Sequence, residues 1–422
     1  MTDYVHRPIG DALLASRTAP VAIVEGARAV GKTTMVRHQL LPAGHHYVTL
    51  ANSETRAEAA ADLAGWLRRL PTPVVIDEAQ LLPGIALETK ELVDSLGPGH
   101  HVVLTGSASI GRTGLGGADP LARRARRWTI SPLTAWELAG ERRSLATALF
   151  DGDLTATECD ETTTHQLVEI LATGGFPNLA LPRPPLDPTQ VLAQVRSDRI
   201  GLLADSALPE LRLDAAIAGA ALDQLLRGPG NQFNASRLSR TLSIDRRTID
   251  RYLGAFERLF LVHWLTNLAA APSRQAFSRA KVHPVDTALS FEALARSGVD
   301  LLSDREHLGA LLESYVVNQV TASAAWSALG IEAGYWRQTG HAPREVDLVL
   351  ADSKGRHVAV EVKTARFVGR EDAAGIAAFA QARGLHRGYV VYPGTDLKPL
   401  MDRIWALPLS ALSQPALLPP SA

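Results

Sequence analysis

Residues Gly26-Ala27-Arg28-Ala29-Val30-Gly31-Lys32-Thr33 follow the pattern GxxxxGK[ST]. The residue types imply a chemistry. Glycines let backbone N–H groups curl around a phosphate, and a helix opening at Lys32 adds its positive end. Lys32 would reach the β- and γ-phosphates of ATP, the Thr33 hydroxyl would ligate Mg²⁺, and Thr34 completes the nucleotide-contacting set. The apolar run Val74-Val75-Ile76 ends in Asp77-Glu78. There Asp77 would hold the metal and Glu78 would polarise the attacking water, so Lys32 and Glu78 are the catalytic pair of an ATP hydrolase. The run His101-Val102-Val103-Leu104-Thr105 leads into Gly106-Ser107. Ser107 is either a sensor of the γ-phosphate or part of a plain turn.

A second set of candidates lies near the other end. Glu361 and Lys363 interrupt the apolar run of RHVAVEVKTA (356–365), two residues apart and so on one face of a strand. Buried charges need partners. If Ser353-Lys354-Gly355 closes a three-residue hairpin with glycine in the left-handed region, Asp352 pairs with Arg356. Asp347 then falls opposite Glu361, and Glu345 opposite Lys363. Glu313 lies in HLGALLESYVVNQV among Val316, Val317 and Val320, within a helix's apolar stripe. Glu313, Asp347 and Glu361 would hold Mg²⁺ through hard oxygen ligands, and Lys363 would orient or deprotonate a water. The plainer alternative is an ion-pair network, Lys363 with Glu345 or Glu361.

A third set is basic. Leu238, Leu242, Ile249, Leu253, Phe256 and Phe260 form a stripe at helical spacing across a helix, a tight turn and a second helix, with Asp245 as N-cap. Arg246, Arg247 and Arg251 lie off the stripe, where a helix-turn-helix contacts DNA. The same segment also reads as a packing module with solvated arginines.

The elements needed to place these residues are legible. The runs at 21–25, 47–50, 74–77, 101–105 and 126–130, separated by helices, predict a parallel sheet covered on both faces. Residues 131–230 read mainly as helix. A long helix near 306–328 precedes strands at 345–351 and 356–364, a helix near 370–383 and a strand at 387–392. The 422 residues suggest two or three domains. With a net charge of −1, any nucleic-acid surface is a local patch. The single cysteine, Cys159, excludes an internal disulfide and four-cysteine metal sites. Without a signal pattern or an apolar run of membrane-spanning length, the reading is a soluble cytoplasmic protein without a membrane partner.

The chain resembles a family of prokaryotic AAA-type ATPases with a C-terminal domain of unknown function of restriction-endonuclease-like fold. The resemblance runs through GARAVGKTTM, VVIDEAQ, LTGSAS, LARRARRWTISPLTAWEL, TGGFPNLAL, KVHPVDTAL, LLESYVVNQV, YWRQTGHAPREVDLVL and VAVEVKTA. It implies an α/β, multidomain chain. An AAA-type ATPase domain would span 1–150, a helical linker 151–230, a winged-helix-like domain 231–299, a restriction-endonuclease-like domain 300–405 and a flexible tail 406–422. It singles out Arg124 as the best-matched arginine to act near a nucleotide, in trans if the chain is a homo-oligomer. It makes the C-terminal carboxylates and Lys363 the D…ExK set of such nucleases. The leading reading is a Mg²⁺-dependent ATPase whose nucleotide state controls a DNA-binding, nuclease-like C-terminal half. The alternatives are an ATP-driven switch for a protein partner and a DNA-binding scaffold.

Overall fold

The computed structural model describes residues 4–420 apart from 17–18, 97–100, 112–118, 183–184, 204–212, 233, 270–279 and 339–342. The five predicted N-terminal runs form strands: β1 (Val21–Glu25), β2 (His46–Thr49), β3 (Val74–Asp77), β4 (Val102–Gly106) and β5 (Ala125–Thr129). They make one parallel sheet in the order β2-β3-β4-β1-β5. Every residue of β1, β3 and β4 is buried, which explains why these runs are unbroken Val/Ile/Leu rather than alternating. Because the strands are parallel, the loops after β1, β3 and β4 leave the sheet at one edge, where open α/β sheets bind ligands.

The middle of the chain contains a short strand β6 (Thr157–Glu158) and the expected helix-turn-helix, Ala235–Leu242 and Arg246–Arg258. The side chain of Asp245 accepts from Thr248 N and caps the second helix, as expected. A two-stranded antiparallel ribbon follows, β7 (Val262–Leu265) with β8 (Lys281–Pro284), then the helix Thr287–Arg296. Ile249, Leu253 and Phe256 share one core with Val24, Val30 and Val103 of the N-terminal sheet region.

The C-terminal part is a mixed seven-stranded sheet, ordered β6-β13-β14-β12-β11-β10-β9. Its strands are β9 (Glu332–Gln338), β10 (Arg344–Ala351), β11 (His357–Val362), β12 (Arg387–Tyr392), β13 (Asp396–Met401) and β14 (Ile404–Pro408). One face packs on the helix Arg305–Ala324 through Leu311, Val316, Leu350 and Val360. The other packs on the helix Ala374–Arg383 through Ile376, Phe379, Val349 and Ala359.

Two expectations are corrected here. The residues expected as a flexible tail are packed: β14 lies inside the sheet, and Leu409, Leu412 and Leu418 are buried. Their apolar side chains fill a core with Trp136 and Phe150, so this packing also crosses the boundary drawn at residue 150. Trp136 Nε1 donates to Ala411 O at 3.1 Å, and Arg143 Nη1 to Leu418 O at 2.8 Å.

Candidate functional site

At the edge of the N-terminal sheet, the loop after β1 bends at Gly26 (φ 159°), Ala29 (φ 65°) and Gly31 (φ 95°). A Cβ at Gly26 would stand 2.1 Å from Ile130 O, so only glycine allows this approach to the end of β5. Arg28, Ala29 and Thr34 are exposed, while Ala27, Val30 and Lys32 are buried. Lys32 Nζ donates to Gly26 O (2.9 Å) and Ala27 O (2.8 Å), so its ammonium lies inside the loop that the sequence assigns to phosphate.

Asp77, at the end of β3, is the meeting point. Its Oδ2 accepts from Thr33 Oγ1 (2.9 Å) and Tyr47 Oη (2.8 Å), and its Oδ1 accepts from Thr105 Oγ1. Burial, followed by the Asp77 carboxylate, pushes the Tyr47 phenol above its usual range. Thr33 and Asp77 offer hard oxygen donors at one point, a donor set that suits Mg²⁺. Glu78 sits in the left-handed region at φ 56°, a strained setting for a non-glycine residue. Gln80 Nε2 donates to both Glu78 Oε2 and Ser107 Oγ, and Ser107 Oγ donates to Glu78 Oε2 at 3.3 Å. The three motifs therefore converge through side-chain hydrogen bonds. Tyr47, Thr105 and Gln80 carry no sequence signal of their own; the first two lie within β2 and β4, and Gln80 on the short helical turn after β3.

Arg7 was missed altogether. It is buried and holds the phosphate loop in place: Nη1 donates to Val30 O (2.9 Å), Nη2 to Ser131 O (2.7 Å) and Nε to Glu137 Oε1 (2.7 Å). Glu137 also closes a capping box with Thr134 at the start of the helix Ala135–Leu138. Ala135 N on that helix donates to Gln319 Oε1 of the 305–324 helix at 2.7 Å.

Arg124 falls elsewhere. It precedes β5, at the end of the strand away from the loop, and pairs with Asp94 (2.5 Å) on the surface. Five residues of strand separate it from that edge, roughly 17 Å at strand rise, which excludes Arg124 from its own chain's nucleotide site. Arg127 instead pairs with Glu25 and Asp119, and Arg126 stacks over Trp128.

In the C-terminal sheet the hairpin register is the expected one: Leu348 faces Val360 and Ala351 faces His357, with Asp352 N bonded to Arg356 O. Gly355 has φ 76°. One step further along this register, Asp347 stands opposite Glu361. The β9–β10 register shifts between Val346 and Val349, an irregularity that takes Asp347 out of the β9 ladder. Asp347 Oδ2 accepts from Val362 N (2.9 Å), while its Oδ1 accepts from Lys281 Nζ (3.3 Å). Lys281 also pairs with Glu313 (2.8 Å) and Glu345 (2.6 Å). Lys363 pairs with Glu361 (2.8 Å).

The predicted residues are thus adjacent but divided between two lysines. Among the described residues no group of three His, Cys, Asp or Glu is arranged to hold a metal ion. Burial and then Asp347 push both Glu313 and Glu361 up to about 8. Lys281 is shifted upward, because Glu313, Asp347 and Glu345 together outweigh its desolvation. Lys281 carries no such local signal: it precedes Val282-His283-Pro284-Val285, and its partners Glu313, Glu345 and Asp347 lie far along the chain.

Arg246, Arg247 and Arg251 are exposed on the second helix of the helix-turn-helix, with Arg246 4.0 Å from Asp250. None of the described helices is long and apolar enough to cross a membrane.

With this geometry in view, residues 18–139 match the family model described as AAA domain. Residues 164–300 and 308–412 match two domains of unknown function, DUF8612 and DUF4143. The phosphate loop, the Asp77–Glu78 strand end and the AAA match make the chain an ATP hydrolase of the P-loop class. Uncharacterized proteins of Mycobacterium bovis and Mycobacterium tuberculosis are 27% identical over 395 residues, 92% of this chain and 80% of theirs. Similar solved structures include a Walker-type ATPase of Pyrococcus abyssi, with a TM-score of 0.40 and 14% identity over 69% of this chain and 96% of that one. The Aeropyrum pernix ORC1 protein in complex with DNA has a TM-score of 0.28 and 15% identity over 69% and 90%. The Thermotoga maritima RuvB Holliday junction branch migration motor has a TM-score of 0.27 and 15% identity over 60% and 86%.

Proposed function

We infer that ATP binding and hydrolysis at the N-terminal site control how the helix-turn-helix and the C-terminal sheet engage DNA. Lys32 and the 26–34 loop bind the phosphates, Thr33 and Asp77 hold Mg²⁺, and Glu78 orients water with Ser107 beside it. Mg²⁺ supplies charge neutralisation on the phosphates when bound. Arg246, Arg247 and Arg251 take DNA phosphates. One observation carries the coupling. Ser109 N, two residues beyond Ser107, donates to Arg258 O at the end of the second helix of the helix-turn-helix (3.0 Å). A change at Ser107 therefore has a direct path to the DNA-facing helix.

The C-terminal domain is read as restriction-endonuclease-like, with Glu313, Asp347 and Glu361 as ligands of Mg²⁺ and Lys363 beside the water. Its helix-covered mixed sheet and the hairpin register support this. A switch that binds a protein partner and cuts nothing is the second reading. It is favoured by Lys281, whose ammonium already compensates the carboxylates.

The test is DNA affinity, by fluorescence anisotropy, in Glu78→Gln (ATP held) and Lys32→Ala (ATP excluded). A nucleotide-dependent difference present in the first and absent in the second is expected. Equal affinities throughout overturn the coupling.

A further inference from the structure

Lys281 is only 4% exposed, yet it is the first residue of a strand that belongs to another part of the chain than its partners. β8 pairs with β7. Its Val282 O accepts from Gly230 N (2.8 Å) and its Val282 N donates to Asn231 O (3.2 Å), while Pro284 O accepts from Asn318 Nδ2 of the 305–324 helix (3.0 Å) and His283 Nδ1 lies 2.9 Å from Ser314 Oγ, so the strand bridges the two regions. Its ammonium, however, reaches Glu313 on the 305–324 helix and Glu345 and Asp347 on β10. An ammonium has three donors; Glu313 and Asp347 accept hydrogen bonds from it, and Glu345 pairs with it at 2.6 Å. The Tyr335 ring, 5.5 Å away, closes a further side.

The lysine also has a lid. Gly230 has φ 70°, and a Cβ there would lie 3.3 Å from the Glu313 carboxyl, so the turn around it rests on the cluster. Beside the lysine a polar cleft of about 730 Å³ opens between this region and the C-terminal sheet, lined by Arg227, Arg237, His307 and Arg337. The cleft is large enough for a ligand, but its acidic floor is filled by a side chain of the protein itself.

Carboxylates this close repel unless a cation lies among them. One ammonium supplies a single positive charge between Glu313 and Asp347, with the Arg337 guanidinium 3.4 Å from Glu345, at the point where a divalent cation would supply two. Glu361, on the other side of Asp347, keeps a buried Oε2 with no hydrogen-bond partner.

We propose that Lys281 is an autoinhibitory plug. While β8 is seated, its ammonium holds the place of a divalent cation at Glu313 and Asp347 and closes the acidic floor of the cleft. Release of the Lys281 end of β8, which Gly230 and Asn231 hold, withdraws it. This rests on the reading of Glu313 and Asp347 as metal ligands.

Mn²⁺ titration by calorimetry tests it, on the full chain without nucleotide. Asp77→Asn is present throughout to silence the N-terminal metal site. Lys281→Met, close in length and uncharged, is expected to bind one Mn²⁺ at least about tenfold more tightly than the Lys281 chain, and adding Glu313→Gln should abolish the gain. Equal binding with and without Lys281 overturns the plug and leaves the metal reading standing. No Mn²⁺ binding in either overturns both.

A second measurement needs no folded Lys281 variant. In the unsubstituted chain, acetylation of Lys281 by an amine-reactive ester, followed by peptide mass spectrometry, should be slow without metal and rise several-fold with excess Mn²⁺. A rate independent of Mn²⁺ overturns the proposal.

Discussion

Arg7 and Glu137, 130 positions apart in sequence, form an ion pair at 2.7 Å with both side chains buried. Arg7 also binds Val30 O in the phosphate loop, and Glu137 caps the helix whose Ala135 N is held by Gln319. The pair therefore links the loop to the C-terminal helix. Removing one partner leaves a buried charge uncompensated, which costs about 3–5 kcal/mol. Arg7→Met and Glu137→Gln should each lower stability in urea melts by that order. The double variant should lose clearly less than the sum. Additive losses would show that the two do not act as a pair.

Arg124 lies at the far end of β5, tied to Asp94. Arg124→Ala is expected to leave ATP turnover within about twofold at high dilution, since a strand's length separates it from its own chain's site. Loss of turnover at concentrations where subunits associate, but not at high dilution, would mean the arginine reaches a nucleotide in a neighbouring subunit. Mixing with Lys32→Ala subunits should then restore activity.

Asp286 joins two distant segments. It caps the 287–296 helix by accepting from Ala288 N (2.8 Å), and it accepts from Gly175 N (2.7 Å). Burial pushes its carboxyl up to about 6 from the usual 3.8, against those N–H donors. His263 and Tyr315 line the same small cavity, and burial drives His263 down to about 4, so it offers Asp286 no positive charge at neutral pH. The folded chain holds the Asp286 proton more tightly than the unfolded one. That stabilisation is complete below the unfolded value and is lost as pH rises through about 6. The stability of the unsubstituted chain relative to Asp286→Asn should therefore fall by about 2–3 kcal/mol between pH 4 and pH 7. His263 titrates in both and cancels. A difference that does not change with pH removes the argument.

These residues show where the sequence was readable and where it was not. The five parallel strands were visible because each is buried on both faces and so is written as an apolar run. The hairpin register was visible because Gly355 fixed the turn and the period-2 alternation did the rest. Lys281 and Arg7 were not visible. Their partners lie 32, 66 and 130 positions away, and nothing local marks which carboxylate a buried cation will meet. The C-terminal strands failed for a different reason. β13 contains Pro399 and β14 ends at Pro408, which argue locally against strand, yet both lie in the seven-stranded sheet.

The packed C-terminus gives a direct test. Leu412 is 2% exposed in the core that holds Trp136 and Phe150. Leu412→Ala should cost about 2–5 kcal/mol, the usual range for such a cavity. Ending the chain after Pro408 should cost more, because it also strands the Trp136 indole N–H. A truncated chain with unchanged melting temperature would return the segment to a tail.

The basic helix face decides between DNA contact and packing module. Arg246, Arg247 and Arg251 are exposed, and the apolar stripe that packs the helix-turn-helix is made of other residues, Ile249, Leu253 and Phe256. Replacing all three arginines by glutamine should therefore leave the fold intact, with a change of no more than about 0.5 kcal/mol per exposed site. If they bind phosphates, DNA affinity should weaken evenly across sequences. The slope of log affinity against log salt should then flatten by roughly 0.9 per lost contact. Melting temperature and anisotropy on the same samples separate the outcomes. An unchanged slope with an intact fold would make the segment a packing module, and the DNA reading would lose the basic face it rests on.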